Sequence, residues 1–558
     1  MNEYTAVTFA PVQGFIEKSR KLRDLYGASL ILSYLSQQLV FYVNNNGLTV
    51  ISPGIPKLQK GMPNRILIKG EISKKDAETV ILSAWKDILK VCREWIEKKL
   101  PEYQYHWERE WTLWGGHTWE VFHGTGCCIE AAMNDLETNK LSRDWSAVNW
   151  IGESSSLTGT DGIAFPGLGG EKRNPKNMNY GDENKEIEKF YARLAAVTQE
   201  ESETPEGKFI ADNEKLSIPE LVKRLVTRHE IATELGIEEL DKSFKEIQRK
   251  PQPAQPENNQ ESIPGQWTGW FMGDGDKVGD HLKELAQKEN GDGEIKNFSD
   301  AMRNWGKQFD DRFNLRKKLG RIVYAGGDDF LGIIYSKNLA EPIPAFEAYQ
   351  WLLTLNETWK EHKQPINVSV GFVWVGGSVP QRDVLQHCRE AEKVAKSLGR
   401  DRVTIRVVFN SGQYVQWTCP WCYLDILMKY RDRDGKTFYE WECNGRDEKY
   451  FPNWSHVYND LATLKARHAF GLSPNKHYTD VNKFNTVLVN LSSLIEFIEM
   501  YFPSYKDELT KKEKYIVCGN KDPQKVDRKK ESAPLMINWI ENLINIGWYL
   551  CSNQNNQV

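Results

Sequence analysis

At 558 residues the chain is too long for one compact domain, and a rate of roughly one domain per ~150 residues predicts three or four. Its 40% hydrophobic and 27% charged residues, with 20 Trp, 22 Tyr and 22 Phe, exclude a disordered or fibrous chain and provide for a large core. A net charge of −4 excludes a global pull toward nucleic acid, while 73 Lys and Arg leave room for local basic patches such as KLQK, KKEK and DRKKES.

The opening MNEYTAVTFAPVQGFIEKSRKL carries Glu3 and lacks an uninterrupted apolar core, so no signal peptide is expected. No run reaches the ~18 apolar residues of a membrane span, which predicts a cytoplasmic protein without membrane contact. Nine scattered cysteines, an odd number, point to reduced thiols over a disulfide framework.

Residues 4–9 are β-branched and aromatic and predict a strand, followed by one helix from about Val12 to Val43 that stops at Asn44-Asn45-Asn46-Gly47. LTVISP and RILIKGE predict two short strands, residues 74–99 a helix, and GCCIEAAM the closing apolar strand of a strand-helix-strand-strand-helix-strand unit. Between 143 and 264 lie a Gly-rich piece, charged helical segments and the polar run RKPQPAQPENNQESIP, a linker composition. The same order then recurs: strand TGWFM, a helix from Val278, strands RIVYA and FLGIIY around GGDD, a helix near 343–361, strand NVSVGFVWV, a helix over 380–398 and strand RVTIRVV. Residues 411–558 are Trp-rich and helical in pattern, with an amphipathic segment around 535–550. The expected fold is α+β: two tandem ferredoxin-like palm domains at 1–142 and 265–410, a helical linker region at 143–264, and a helical domain at 411–558.

The chemistry concentrates in the second unit. Asp274 follows a buried-looking strand, and Gly273, Gly275 and Gly279 leave the next amides open to a phosphate at a helix start. Asp328 and Asp329 stand on a hairpin tip whose glycines, Gly326 and Gly327, permit close approach of a ligand. An Asp-Asp hairpin by itself is commonly a solvated turn. Converging carboxylates, however, suit two magnesium or manganese ions that clamp attacking and leaving oxygens in nucleotidyl transfer. Downstream, Lys396 and Arg400, four apart on one helix face, are placed to reach a polyphosphate.

Taken in order, Asp274-Gly275-Asp276, Gly326-Gly327-Asp328-Asp329, Ser369-Val370-Gly371 and Ala395-Lys396-Ser397-Leu398-Gly399-Arg400 resemble the GGDEF-type cyclase palm. Asp329 replaces the Glu of diguanylate cyclases, and GGDD is similar to the form in the large subunit of type III CRISPR complexes. PVQGFIEKSRKLRDLYGASLILSYLS, with Pro11-Val12-Gln13 and the Arg20/Arg23-Asp24 pattern, resembles the start of the Cmr-type large subunit. The resemblance spans about 1–170 and 263–410, and the last 150 residues only by position and helical character. It implies a Cas-type signalling subunit that converts ATP to cyclic oligoadenylate when target RNA is bound, with CRISPR RNA and other type III effector subunits as partners. It also implies that Asp274, Asp328 and Asp329 hold the metals, and that Gly275, Asp276, Gly279, Gly326, Gly327, Lys396 and Arg400 bind nucleotide.

The first unit has no carboxylate after its first strand, at Phe9-Ala10-Pro11, and none in PGIPKLQKGMPN. By resemblance it takes a second ATP without metal ligands, with Ser29 and Ser33 either contacting it or serving as ordinary polar helix positions. Cys419-Pro420-Trp421-Cys422 is either half of a structural zinc site, with Cys443 a third ligand and His456 or another residue a fourth, or a pair of plain thiols. SSLTGTDGIAF has Ser and Thr where the family often places zinc-binding cysteines, which argues against zinc there. No His-Asp dipeptide and no ligand-spaced cluster occur among the 10 His, so no HD-type DNase activity is expected. WGGHTWE reads as a packed corner. Two other functions fit the same residues: a non-catalytic nucleotide-binding scaffold of such a complex, and a free-standing nucleotide cyclase.

Overall fold

The computed structural model describes residues 3–53, 63–142, 150, 152–165, 180–199, 209–237, 249, 265–315, 320–336, 341–429, 454–467, 495–511 and 532–551. The first half runs β1 (Tyr4–Ala10), α1 (Val12–Glu17), α2 (Leu22–Asn45), β2 (Thr49–Ser52), β3 (Arg65–Lys69), α3 (Lys74–Lys99), α4 (Glu108–His117), β4 (Glu120–Gly126), α5 (Ile129–Leu141), α6 (Tyr180–Thr198), α7 (Ile218–Leu225) and α8 (His229–Leu235). The second runs β5 (Thr268–Gly275), α9 (Val278–Ala286), α10 (Gly291–Leu315), β6 (Arg321–Ala325), β7 (Asp329–Ile334), α11 (Ala345–Lys360), β8 (Val368–Val375), α12 (Gln381–Ser397), β9 (Arg402–Val408) and β10 (Tyr414–Pro420).

Two sheets result. The first is antiparallel with order β2-β3-β1-β4, and four strands of the second repeat it as β6-β7-β5-β8. β9 then adds parallel to β8, and β10 adds antiparallel to β9. Buried along its whole length, β8 has the β-branched and aromatic run VSVGFVWV that a strand covered on both faces requires. One face of the second sheet packs Phe271, Phe330 and Phe372 with Phe309, Trp351 and Trp359. The other packs Trp270, Leu331 and Val373 with Val384 and Leu385 of α12, and with Leu25 and Tyr26 of α2. Helix α2 therefore belongs to both halves, and the Tyr26 hydroxyl donates to the Ile322 carbonyl at 2.9 Å.

Four expectations are corrected. The helix from Val12 breaks at 18–21, because the Asp24 carboxylate accepts the amides of Arg20 and Lys21, both at 2.9 Å, and caps α2 there. GCCIEAAM is no strand: Cys128, extended, is the N-cap of α5, and the closing strand is β4 just before it. The second sheet continues past residue 410, since β10 pairs with β9 before helical structure resumes at Trp421. Finally, the described helices between 180 and 235 share the core of the first sheet: Phe190, Leu194 and Leu221 pack in the same cluster as Val7 and Leu35. In WGGHTWE, Trp119 is buried against Phe9, Phe15 and Trp85.

Helix α7 docks through buried charges. The Lys223 carbonyl lies against Gly27, where any Cβ would fall 1.7 Å from its oxygen, so α2 and α7 meet backbone to backbone. Fully buried, Arg224 donates from Nε to Asp24 at 2.7 Å and also reaches Glu214. Burial opposes ionisation of Glu214, but Arg224 and Lys21 outweigh it and hold the carboxyl at about 2. The stabilisation from Glu214 is therefore complete above its ordinary value near 4.5 and is lost as pH falls toward 2. Replacing Arg224 with Leu strands two buried carboxylates and is expected to cost about 3–5 kcal/mol in denaturant melts near pH 7. The deficit should shrink as the pH is lowered.

Candidate active site

Strand β5 is the second strand from neither edge; it lies between β7 and β8, and its register sets the site. Asp274 stands opposite Asp329 on β7 and Ser369 on β8. Directly opposed antiparallel residues hold their Cβ atoms roughly 4.5–5.5 Å apart, so the Asp274 and Asp329 carboxylates share one face of the sheet. The hairpin is tied down by Gly326 N to Asp329 O at 3.1 Å and by Gly275 N to Asp328 O at 2.8 Å.

A cavity of about 630 Å³ opens between the two halves of the molecule. Asp274, Gly279, Gly327, Asp328 and Asp329 line it from the second half; Ser29, Ser33, Asn64 and Arg65 line it from the first. The turn faces the first half closely enough that a methyl at Gly327 would meet Pro63 Cγ at 3.6 Å. The structure thus brings these carboxylates together with the two serines of α2.

The other sequence-predicted residues stand behind this lining. Lys396 pairs with Asp274 and, at 2.5 Å, with Glu392 one turn earlier on α12. Helix α12 ends at Ser397, so Arg400 does not share its face as expected; Arg400 has φ +65° and approaches Asp276 at 3.9 Å. Asp276 accepts the Ser369 hydroxyl at 2.7 Å and the Asp401 amide at 2.8 Å, which makes it a clasp for the turn after α12. Nor are all the amides after Asp274 open: Gly275 N is bonded to Asp328 and Asp276 N to the Asn367 carbonyl at 2.8 Å. Amides free of intrahelical bonds begin in the first turn of α9, where Gly279 lines the cavity.

The Ser369-Val370-Gly371 strand serves two purposes. Ser369 holds Asp276, and Gly371 admits α12, since a Cβ there would lie 2.3 Å from the Cys388 carbonyl oxygen and 2.5 Å from the Glu392 amide nitrogen. Close seating of α12 is what carries Lys396 to Asp274.

The electrostatics call for a cation. Cleft walls withdraw bulk water from Asp328 and Asp329, although Asp329 keeps contact with cavity solvent, and the neighbouring carboxylates then raise both above the ordinary range. Burial likewise raises Glu392. Oxygen-only donors carrying surplus negative charge fit a hard divalent cation. As placed, no three His, Cys, Asp or Glu among the described residues form a closed ligand set, these three aspartates included. Lys396 pairs with Asp274 among them.

Sequence reasoning missed Glu392, Asn64 and Arg65. Glu392 was detectable as the i,i+4 partner of Lys396 on a helix. Asn64 donates to Thr8 Oγ1 and Phe9 O, both at 3.0 Å, and Arg65 pairs with Glu137; only the β1–β3 register turns them toward the acids. Cys419 is buried, Cys422 and His456 are exposed, and Cys443 lies outside the described residues. Within SSLTGTDGIAF, Ser155 and Thr158 donate to buried Glu220 at 2.7 and 2.9 Å. KLQK, and most of KKEK and DRKKES, also lie outside the described residues. No helix among them is long and apolar enough to cross a membrane.

Carboxylates at the ends of adjacent central strands of such a sheet define a palm-type domain. Residues 268–404 match the family described as Cas10/Cmr2, second palm domain, and residues 4–60 that described as CRISPR-associated protein Cmr2, N-terminal. Within these two segments the chain matches the Cas10/Cmr2 second palm domain and the Cmr2 N-terminal region. Among solved structures it is similar in fold to a chain of the type III-B Cmr-beta complex in its apo state, with TM-score 0.54 and 11% identity over 98% of this chain and 81% of that one. Csm1 of T. onnurineus aligns with TM-score 0.44 and 12% identity over 99% and 70% of the two chains. No curated protein matches the chain.

Because Asp328 and Asp329 titrate as a folded pair near 6 to 7, above the ordinary value of 3.8, they bind more protons folded than unfolded. In chelator, their contribution to stability should fall as pH rises from about 4 to about 7. Magnesium should raise the melting temperature more at pH 8 than at pH 5, and the Asp328→Asn/Asp329→Asn variant should flatten both trends.

Proposed function

We propose that this chain is the signalling subunit of an RNA-guided type III complex, built on two tandem palms and synthesising cyclic oligoadenylate from ATP when target RNA is bound. The observation that carries the reading is the convergence of Asp274, Asp328 and Asp329 on a cavity whose opposite wall is Ser29 and Ser33 of α2. Asp274, Asp328 and Asp329 would hold magnesium or manganese, which when bound would supply charge neutralisation on the attacking and leaving oxygens.

The chain's own residues do the rest. Lys396 and Glu392 fix Asp274, and the first-turn amides of α9 face the polyphosphate of one ATP. Ser29, Ser33 and Arg65 bound the space for the second. The 3′-hydroxyl of one ATP attacks the α-phosphorus of the other in line, pyrophosphate leaves, and repetition with closure gives a ring. ATP as substrate, CRISPR RNA and target RNA as partners, and target binding as the switch follow from the family.

Incubating the assembled complex with labelled ATP, magnesium or manganese, and matching target RNA should yield target-dependent cyclic oligoadenylate, resolved by chromatography and mass spectrometry. Asp328→Ala/Asp329→Ala should lower the rate on the order of 10²-fold or more, the equivalent of losing several kcal/mol of charge stabilisation. An intact, target-bound wild-type complex that forms no product would leave the nucleotide-binding scaffold as the function.

A further inference from the structure

Tyr324 is the last aromatic residue of β6 before the acid-bearing turn, and the function proposed above leaves it unused. It sits opposite Leu331 on β7, two residues along from Asp329, and so faces the same side of the sheet as Asp329 and Asp274. It packs against the buried cluster of Leu25, Tyr26, Leu331 and Val373, which Ile16 and Leu22 of the first half and Met272 of the second also flank, and the side chain lines the cavity. It therefore stands where both halves meet the carboxylates. Among the described residues its hydroxyl has no hydrogen-bond partner, although Asp329, Arg389, Asp274 and Glu392 are its charged neighbours.

We propose that the Tyr324 hydroxyl donates a hydrogen bond to a phosphate oxygen of a nucleoside triphosphate bound in this cavity, an inference that rests on the nucleotide reading above. The other groups at this end of the cavity are the wrong kind for that contact. Asp274, Asp328 and Asp329 repel phosphate without a cation, Lys396 is engaged by Asp274 and Glu392, Arg389 by Glu17 and Arg65 by Glu137, and Arg400 lies toward Asp276. A neutral phenol adds no negative charge to a crowded anionic site. Because the side chain lines the cavity and no described residue accepts its proton, the acceptor it lacks is one that a ligand brings in.

Tyr324→Phe removes the oxygen and keeps the ring that packs on the cluster of Leu25, Tyr26 and Leu331. Three quantities are measured on the full-length chain and the variant: melting temperature, manganese affinity without nucleotide, and affinity for a non-hydrolysable ATP analogue with magnesium. Turnover of ATP by the assembled complex is the fourth. The expected result is an unchanged melting temperature and manganese affinity, with analogue affinity weakened about 10-fold or more, the range of a lost hydrogen bond to a charged acceptor. Turnover should fall with it, and more ATP should recover part of that loss. Unchanged analogue affinity overturns the proposal, as does weakened manganese affinity, which would assign Tyr324 to holding a carboxylate. A wild-type chain that takes up no analogue would overturn the nucleotide reading itself, an outcome separate from either result in the variant.

Discussion

The site depends on one register. Asp274 lies opposite Asp329 because β5 is paired residue for residue with β7 on one side and β8 on the other, so the central strand has no free edge along which to slip. A slip of β5 by a single residue would turn Asp274 to the opposite face, where Phe271 packs with Phe330, and leave Asp329 alone on its own. The two amide bonds that close the hairpin onto Asp328 and Asp329 are its local expression. Backbone pairing, with its rigid spacing, holds together charges that would otherwise separate.

That rigidity extends across the molecule through helices that serve two masters. Leu25 and Tyr26 of α2 complete the core of the second sheet, while Ser29 and Ser33, further along α2, reach the cavity. The same helix is capped by Asp24, which Arg224 grips from α7. Glu17 of α1 pairs with Arg389 of α12, the helix that also supplies Glu392 and Lys396. The two walls of the cavity are thus joined by buried contacts and by an ion pair.

Much of this was legible in the sequence where a pattern is local. Alternation and β-branching marked nearly every strand, and the spacing of Asp274, Asp328, Asp329, Ser369 and Gly371 marked the acid-bearing unit. What escaped was set by contacts between distant segments. The break at 18–21 depends on a side chain three residues into the next helix, and GCCIEAAM is apolar in either conformation. β10 is a strand because β9 offers an edge, and nothing local in YVQWTCP separates it from the helical pattern that follows. Lys396 and Arg400 looked like neighbours because a spacing of four implies a shared face, yet Gly399, with φ +120°, ends that face between them. Asn64 and Arg65 gain meaning only when the first sheet is laid beside the second.

Helix α12 rests in a notch cut by Gly371, with a sequence of charges along its inner side: Arg389 to Glu17, then Glu392, then Lys396 to Asp274. The arrangement works as a key in a keyway. Sliding the helix one turn, about 5.4 Å, so that Glu392 took the place of Lys396, would set carboxylate against carboxylate and lift Arg389 off its partner. The notch admits the backbone at one height and the charges admit it at one depth, so the acid cluster has a single seating against which its geometry is measured.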